Sequence, residues 1–144
     1  MKPRLVIGLG NSLMGDDGIG WHVAGRLAAD PRLPAEVEAI QGGTDLLGCA
    51  GWIEGRQAVV VIDAIEDGGE PGGVSVLQGD LEERQEHAHH LSVAQAIKLL
   101  ELITPARFTV LGVSIGAACL GEGLSPALAA RLPAIVDRVL EELR

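Results

Sequence analysis

Aromatic side chains are nearly missing from this chain of 144 residues, which has no tyrosine, one phenylalanine (Phe108) and two tryptophans (Trp21 and Trp52). Binding of single-stranded nucleic acid needs successive stacking platforms, and three rings are too few to build them. Basic residues are scarce as well. Lys and Arg number 11 against 20 Asp and Glu, a formal net charge of −9, and no basic run exists to release counterions from a phosphate backbone. No nucleic-acid partner is expected. Cys49 and Cys119 are the only cysteines, and with no C-x-x-C pair they make neither a zinc knuckle nor a thioredoxin-type site, so buried, reduced thiols are expected. Apolar runs are short. None approaches the roughly 18 consecutive apolar residues of a membrane span, and Leu5 to Ile7 is shorter than the about 7–15 residues of a signal-peptide core. The chain reads as a soluble, cytoplasmic protein without a membrane partner.

Glycine is abundant, at 20 residues, about twice its usual share. Hydrophobic residues make up 47% and charged residues 22%, a globular balance that excludes disorder. A core built mainly of Val, Leu, Ile and Ala is expected, with loops that bring backbone close to something. The length suits one domain spanning residues 1–144.

Strand and helix signals alternate along the chain. Leu5 to Gly10 is an apolar run ended by glycines, as in a strand buried on both faces. Apolar residues recur at helical spacing from Ile19 to Ala29, where Asp30-Pro31 stops the element. Val37 to Ile40 is a weaker strand, followed by Gly42-Gly43 and by a short helix that Thr44 or Asp45 can cap and that runs to Trp52. Ala58 to Ile62 is the clearest strand, and it runs into Asp63, which is placed at its C-terminal end. After the turn cluster 67–73, Val74 to Leu77 alternates as an edge strand does, and 79–90 reads as a polar loop. Ser92 caps a helix with Val93, Ala96, Ile97, Leu100 and Ile103 on one face. Phe108 to Val113 is the last strand. Ser125-Pro126 then opens a helix carrying Leu128, Leu132, Ile135, Val139 and Leu143, with a kink expected at Pro133. The alternation predicts an α/β/α sandwich around a largely parallel sheet.

The loop after the first strand is not a nucleotide cradle. In Gly8-Leu9-Gly10 the third glycine of a dinucleotide fingerprint falls at Leu13, and Gly10 and Gly15 have Walker A spacing but are followed by Asp16 and Asp17 in place of Lys and Ser/Thr. Two carboxylates would repel a phosphate from a helix N-terminus, so the loop suits a cation or a proton. The alternative role for either carboxylate is to cap the first helix.

Ligands in open α/β sheets settle outside the carboxyl ends of the strands. That places Asp17, after the first strand, and Asp63, after the third, on one rim. For Asp63 the alternative is an Asx-turn at a strand end. Three of the four histidines, His87, His89 and His90, precede the helix that Ser92 caps. Imidazole together with carboxylates is a reasonable nickel or zinc set, although a solvated histidine loop has the same sequence. His22 reads as structural or exposed. No nucleophile elbow and no H-E-x-x-H is present.

Taken together, these motifs resemble the nickel-iron hydrogenase maturation endopeptidases. The match runs through Gly8-Leu9-Gly10-Asn11-Ser12-Leu13, Asp16-Asp17-Gly18-Ile19-Gly20, Gly42-Gly43-Thr44, Asp63-Ala64, His89 ahead of Leu91, Leu111-Gly112-Val113 and Gly123-Leu124-Ser125-Pro126, nearly the whole chain. The resemblance implies a five-stranded twisted sheet with one antiparallel strand, Val74 to Leu77, between helix layers. It implies a peptidase of aspartic type that removes the C-terminal extension of a hydrogenase large-subunit precursor after nickel insertion. Carried over by motif position, Asp17, Asp63 and His89 would contact a nickel that the substrate supplies, with no organic cofactor. Asp16, Asp17 and Asp63 would be the catalytic carboxylates, with Asp16 or Asp17 as the candidate general base. Where the family often has Glu this chain has Asp17, where it commonly has Asp this chain has Gln41, and where it often has Gly this chain has Leu46. A nickel-binding assembly scaffold without peptidase activity would want the same three ligands, and a small-molecule amidohydrolase would share the architecture alone.

Overall fold

Three strands rich in Val, Leu and Ile, β1 (Arg4–Leu9), β3 (Ala58–Ile65) and β5 (Arg107–Ser114), form the middle of a five-stranded sheet of order β2-β1-β3-β5-β4 in this computed structural model. The structure describes residues 1–77, 92–117 and 120–144. Strands β1, β2 (Val37–Gly43), β3 and β5 run parallel, while β4 (Val74–Leu77) pairs antiparallel with β5. The expected antiparallel edge strand is thus in place.

Side chains of a strand alternate between the two faces of the sheet, and the helices cover both. On one face Val6, Ile62 and Leu111 pack with α1 (Ile19–Ala28) and α4 (Pro126–Glu142). On the other, Leu5, Ile7, Val59 and Val61 pack with α2 (Ala50–Ile53) and α3 (Val93–Leu100). This is the three-layer α/β/α sandwich, with a separate apolar core above and below the sheet.

Four sequence expectations are revised. Strand β3 does not stop before Asp63; it continues to Ile65 because β5 goes on pairing, Asp63 with Gly112 and Ile65 with Ser114. The helix expected through Trp52 is a 3-10 turn, Leu47–Cys49, followed by the short α2, and its glycines, Gly48 and Gly51, are poor helix formers. Asp45 does not cap the short helix expected there; its Oδ1 accepts the Leu47 N–H at 3.0 Å in an Asx-turn. Ile103 falls outside α3, which ends at Leu100, and it is exposed. The Ser92 cap is present as a capping box, in which Ser92 Oγ accepts the Gln95 N–H and Gln95 Oε1 accepts the Ser92 N–H. Helix α4 spans Pro133 as one element, with Leu128, Leu132, Ile135 and Val139 buried along it and Leu143 buried at its C-cap.

The strand order reverses direction between β1, whose connection leads outward to β2, and β3 on its other side. That reversal is the topological switch point, where a crevice opens at the carboxyl ends of the strands.

Candidate active site

Pairing between β1 and β3 ends at Gly8 with Ile62. Asp63 is therefore the first β3 residue without a β1 partner, and it stands where β1 turns away. Its Oδ1 accepts the Ala64 N–H at 2.9 Å. The loop leaving β1 folds back over this point into a 3-10 turn, Gly15–Gly18, that packs beside β3 and carries Asp16 and Asp17. The structure thus brings the Asp17 and Asp63 segments to one rim, as the sequence predicts.

Two glycines make this close return possible. A Cβ at Gly20 would collide with the carbonyl oxygens of Leu9 and Ile62, so only glycine lets the first turn of α1 lie across the ends of β1 and β3. Gly10 has φ of 140°, and a Cβ there would strike the Asp17 carbonyl oxygen. The Gly10 N–H donates to the Gly43 carbonyl at 2.8 Å, tying the same loop to the end of β2.

Neither carboxylate caps the first helix. Both the 3-10 turn and α1 lack a side-chain cap hydrogen bond. Asp17 Oδ2 instead accepts the Asn11 N–H at 3.0 Å from within its own loop, and Asp17 Oδ1 has no hydrogen-bond partner among the described residues. One oxygen is anchored and the other is open. Asp16 is bound at both ends: Oδ1 accepts the Ser125 N–H at 2.7 Å and Oδ2 accepts the Ser125 hydroxyl at 2.8 Å. Sequence reasoning gave Ser125 only the task of capping α4, which it does by accepting the Leu128 N–H at 3.3 Å. Its partnership with Asp16 spans 109 positions and leaves no local trace in the sequence. A second tie joins the two loops, with Gly15 N–H donating to the Gly121 carbonyl at 2.8 Å and Gly121 N–H to the Leu13 carbonyl at 2.9 Å.

The expected third ligand, His89, lies outside the described residues, as do His87, His90 and Cys119. Among the described residues no group of three His, Cys, Asp or Glu side chains could hold a metal ion. His22 on α1 is half-buried, with Nε2 shielded from solvent and without a hydrogen-bond partner among the described residues. Burial, and secondarily the charge of Arg26, lower its pKa. Cys49 is a free, buried thiol whose S–H approaches the Gly42 carbonyl at 3.5 Å, and burial raises its pKa. Gln41 donates to the Trp21 carbonyl at 3.2 Å, which braces β2 against α1.

The fold is thus an α/β/α sandwich that carries two carboxylates, Asp17 and Asp63, at its switch point. The profile of the hydrogenase maturation protease family matches residues 21–142, and the chain belongs to that family. It is 29% identical to the hydrogenase 2 maturation protease of Escherichia coli strain K12 over 97% of this chain and 90% of that one. It is also 29% identical to the hydrogenase expression/formation protein HupD of Rhodobacter capsulatus over 99% of this chain and 73% of that one. Among solved structures, the hydrogenase maturating endopeptidase HybD from Escherichia coli superposes with a TM-score of 0.81 at 28% identity, covering 98% of this chain and 91% of that one. The HycI maturation protease from Thermococcus kodakarensis gives 0.78 at 25% identity, covering 99% and 92%.

Proposed function

We propose that this protein is an endopeptidase that removes the C-terminal extension of a nickel-iron hydrogenase large-subunit precursor once nickel has been inserted. The observation that carries the reading is the convergence of Asp17 and Asp63 at the β1/β3 switch point, in a chain of the hydrogenase maturation protease family. A carboxylate with one oxygen anchored and one open, as in Asp17, is oriented to bind a cation without rearranging. Carboxylates with an added imidazole form an incomplete shell suited to nickel, and His89 is the imidazole in this proposal.

The division of labour follows from that shell. Asp17, Asp63 and His89 hold the metal that the substrate brings, and an apo precursor therefore offers them nothing to grip. The grip fixes the scissile peptide at the rim, which converts a bimolecular encounter into a positioned one. The substrate's nickel adds positive charge beside the carbonyl to be attacked. A rim carboxylate oxygen then takes a proton from the water that attacks the carbonyl carbon and gives it to the peptide nitrogen as the C–N bond breaks. No organic cofactor is required. The free thiol of Cys49 suits a reducing compartment, and the proposal places the reaction in the cytoplasm.

Cleavage of purified nickel-containing precursor by the wild-type protein and by Asp17→Asn and Asp63→Asn tests the reading. Release of the C-terminal peptide by the wild type alone is expected, with both variants folded. Normal processing by Asp63→Asn would overturn the ligand assignment, and binding of the precursor without any cleavage would favour the assembly-scaffold alternative.

A further inference from the structure

We infer that Asp16 and Ser125 form a latch that positions Asp17, and that Asp16 acts on the reaction only through this latch rather than as a base. The inference rests on the proposed peptidase reading and assigns the two neighbouring carboxylates different tasks.

Both Asp16 oxygens are committed to one residue, at 2.7 Å to the Ser125 backbone N–H and at 2.8 Å to its hydroxyl. Ser125 is committed in turn. Its hydroxyl proton goes to Asp16 and its oxygen accepts the Leu128 N–H as the N-cap of α4. The Asp16 charge thereby rests against the N-terminus of a helix of 17 residues, where the helix dipole favours a carboxylate. A group so fully bonded is poorly placed to accept a proton from water, and a serine held as a cap is poorly placed to attack a carbonyl.

Asp17 is one peptide unit away in the same 3-10 turn. That turn is held on three sides: by Asp16 to α4, by Gly15 to the Gly121 carbonyl, and by Asp17 itself to the Asn11 N–H. Of these ties, the one through Asp16 reaches a long helix packed into the core, so it fixes the turn to the rigid body of the fold. Release of Asp16 frees the turn to rotate and carries the open oxygen of Asp17 away from Asp63.

Asparagine separates the two roles. In Asp16→Asn the amide oxygen still accepts the Ser125 N–H and the amide nitrogen can donate to Ser125 Oγ, so the latch survives while any base is lost. The experiment compares Asp16→Asn, Asp16→Ala, Ser125→Ala and Ser125→Thr in the precursor cleavage assay, with kcat expressed per folded molecule. Asp16→Asn and Ser125→Thr are expected within about threefold of wild type, and Asp16→Ala and Ser125→Ala to lose roughly 10- to 100-fold in kcat with little change in KM, the scale of a displaced catalytic group. The pH profile of Asp16→Asn should follow the wild type.

Hydrogen exchange at the Asn11 amide reads the same latch without activity, because that N–H is held by Asp17. Exchange should quicken about tenfold in Asp16→Ala and Ser125→Ala and stay at the wild-type rate in Asp16→Asn. An Asp16→Asn protein as inactive as Asp16→Ala would make Asp16 a catalytic base and overturn the inference, as would wild-type kcat and Asn11 protection in Ser125→Ala. If the wild type itself releases no peptide, the peptidase reading fails, and Asn11 exchange still decides the latch.

Discussion

Replacing Gly20 by alanine sets helix propensity against packing, and the structure decides which wins. Within a helix the change ordinarily gains about 1 kcal/mol. Here the added methyl would strike the carbonyl oxygens of Leu9 and Ile62, which are backbone atoms of β1 and β3 and cannot swing aside. Overpacking of this kind costs about 1–3 kcal/mol. Taking the upper end for a clash with two strands, the net loss is about 2 kcal/mol, which lowers Tm by roughly 4–8 °C in a chain of this size. Gly25, five residues further along the same helix, is the control. A Cβ there meets the Gln41 side chain, with Nε2 at 2.6 Å and Cδ at 3.4 Å, the end of an exposed, flexible side chain. Gly25→Ala gives up the bond from Gln41 to the Trp21 carbonyl, worth about 0.5–1.5 kcal/mol, and gains a similar amount in propensity, so its stability should match the wild type within about 0.5 kcal/mol. Thermal and urea melts followed by far-UV circular dichroism measure both. A Gly20→Ala protein that melts at or above the wild type, or no lower than Gly25→Ala, would refute the claim that close approach of α1 to the strand ends dictates this glycine.

Three further outcomes follow from the structure. Arg56 is buried and donates to the Trp52 and Lys2 carbonyls at 2.9 and 2.8 Å and to Glu38 at 2.7 Å, so Arg56→Met should cost about 2 kcal/mol; a loss below about 0.5 kcal/mol in urea melts would contradict that reading. The His22 pKa is lowered in the folded protein from 6.5, so the unfolded chain binds the proton first. The His22 contribution to stability is then complete above pH 6.5 and declines as the pH falls below it, and His22→Gln should be less sensitive to acid over that window than the wild type. Cys49 is buried with a raised pKa, so iodoacetamide should modify it only in denaturant; peptide mapping that finds it alkylated in the native protein would contradict its burial.

Much of this fold is legible in the sequence because its central strands are short, continuous apolar runs bounded by turn residues, as strands buried on both faces are. What escapes local reading is set by distant partners. Asp63 looks like a strand terminus because it is the first polar residue after Ala58 to Ile62, yet β5 carries pairing two residues beyond it. Ile103 has the right spacing for the buried face of α3, but the helix stops at Leu100 and leaves it in solvent. In the site, the shared rim of Asp17 and Asp63 follows from strand order alone. The distinct environments of Asp16 and Asp17 do not, because one depends on Ser125, far along the chain, and the other on a backbone N–H that carries no sequence signal.

In the proposed function the acidic rim recognises nickel carried by the substrate. Intact-mass measurement of large-subunit precursor incubated with the purified protein, in nickel-loaded and nickel-free forms, tests it most directly. Loss of a C-terminal peptide from the nickel-loaded form alone is the predicted result; equal cleavage of both forms, or cleavage of neither by a protein that is folded, would contradict it.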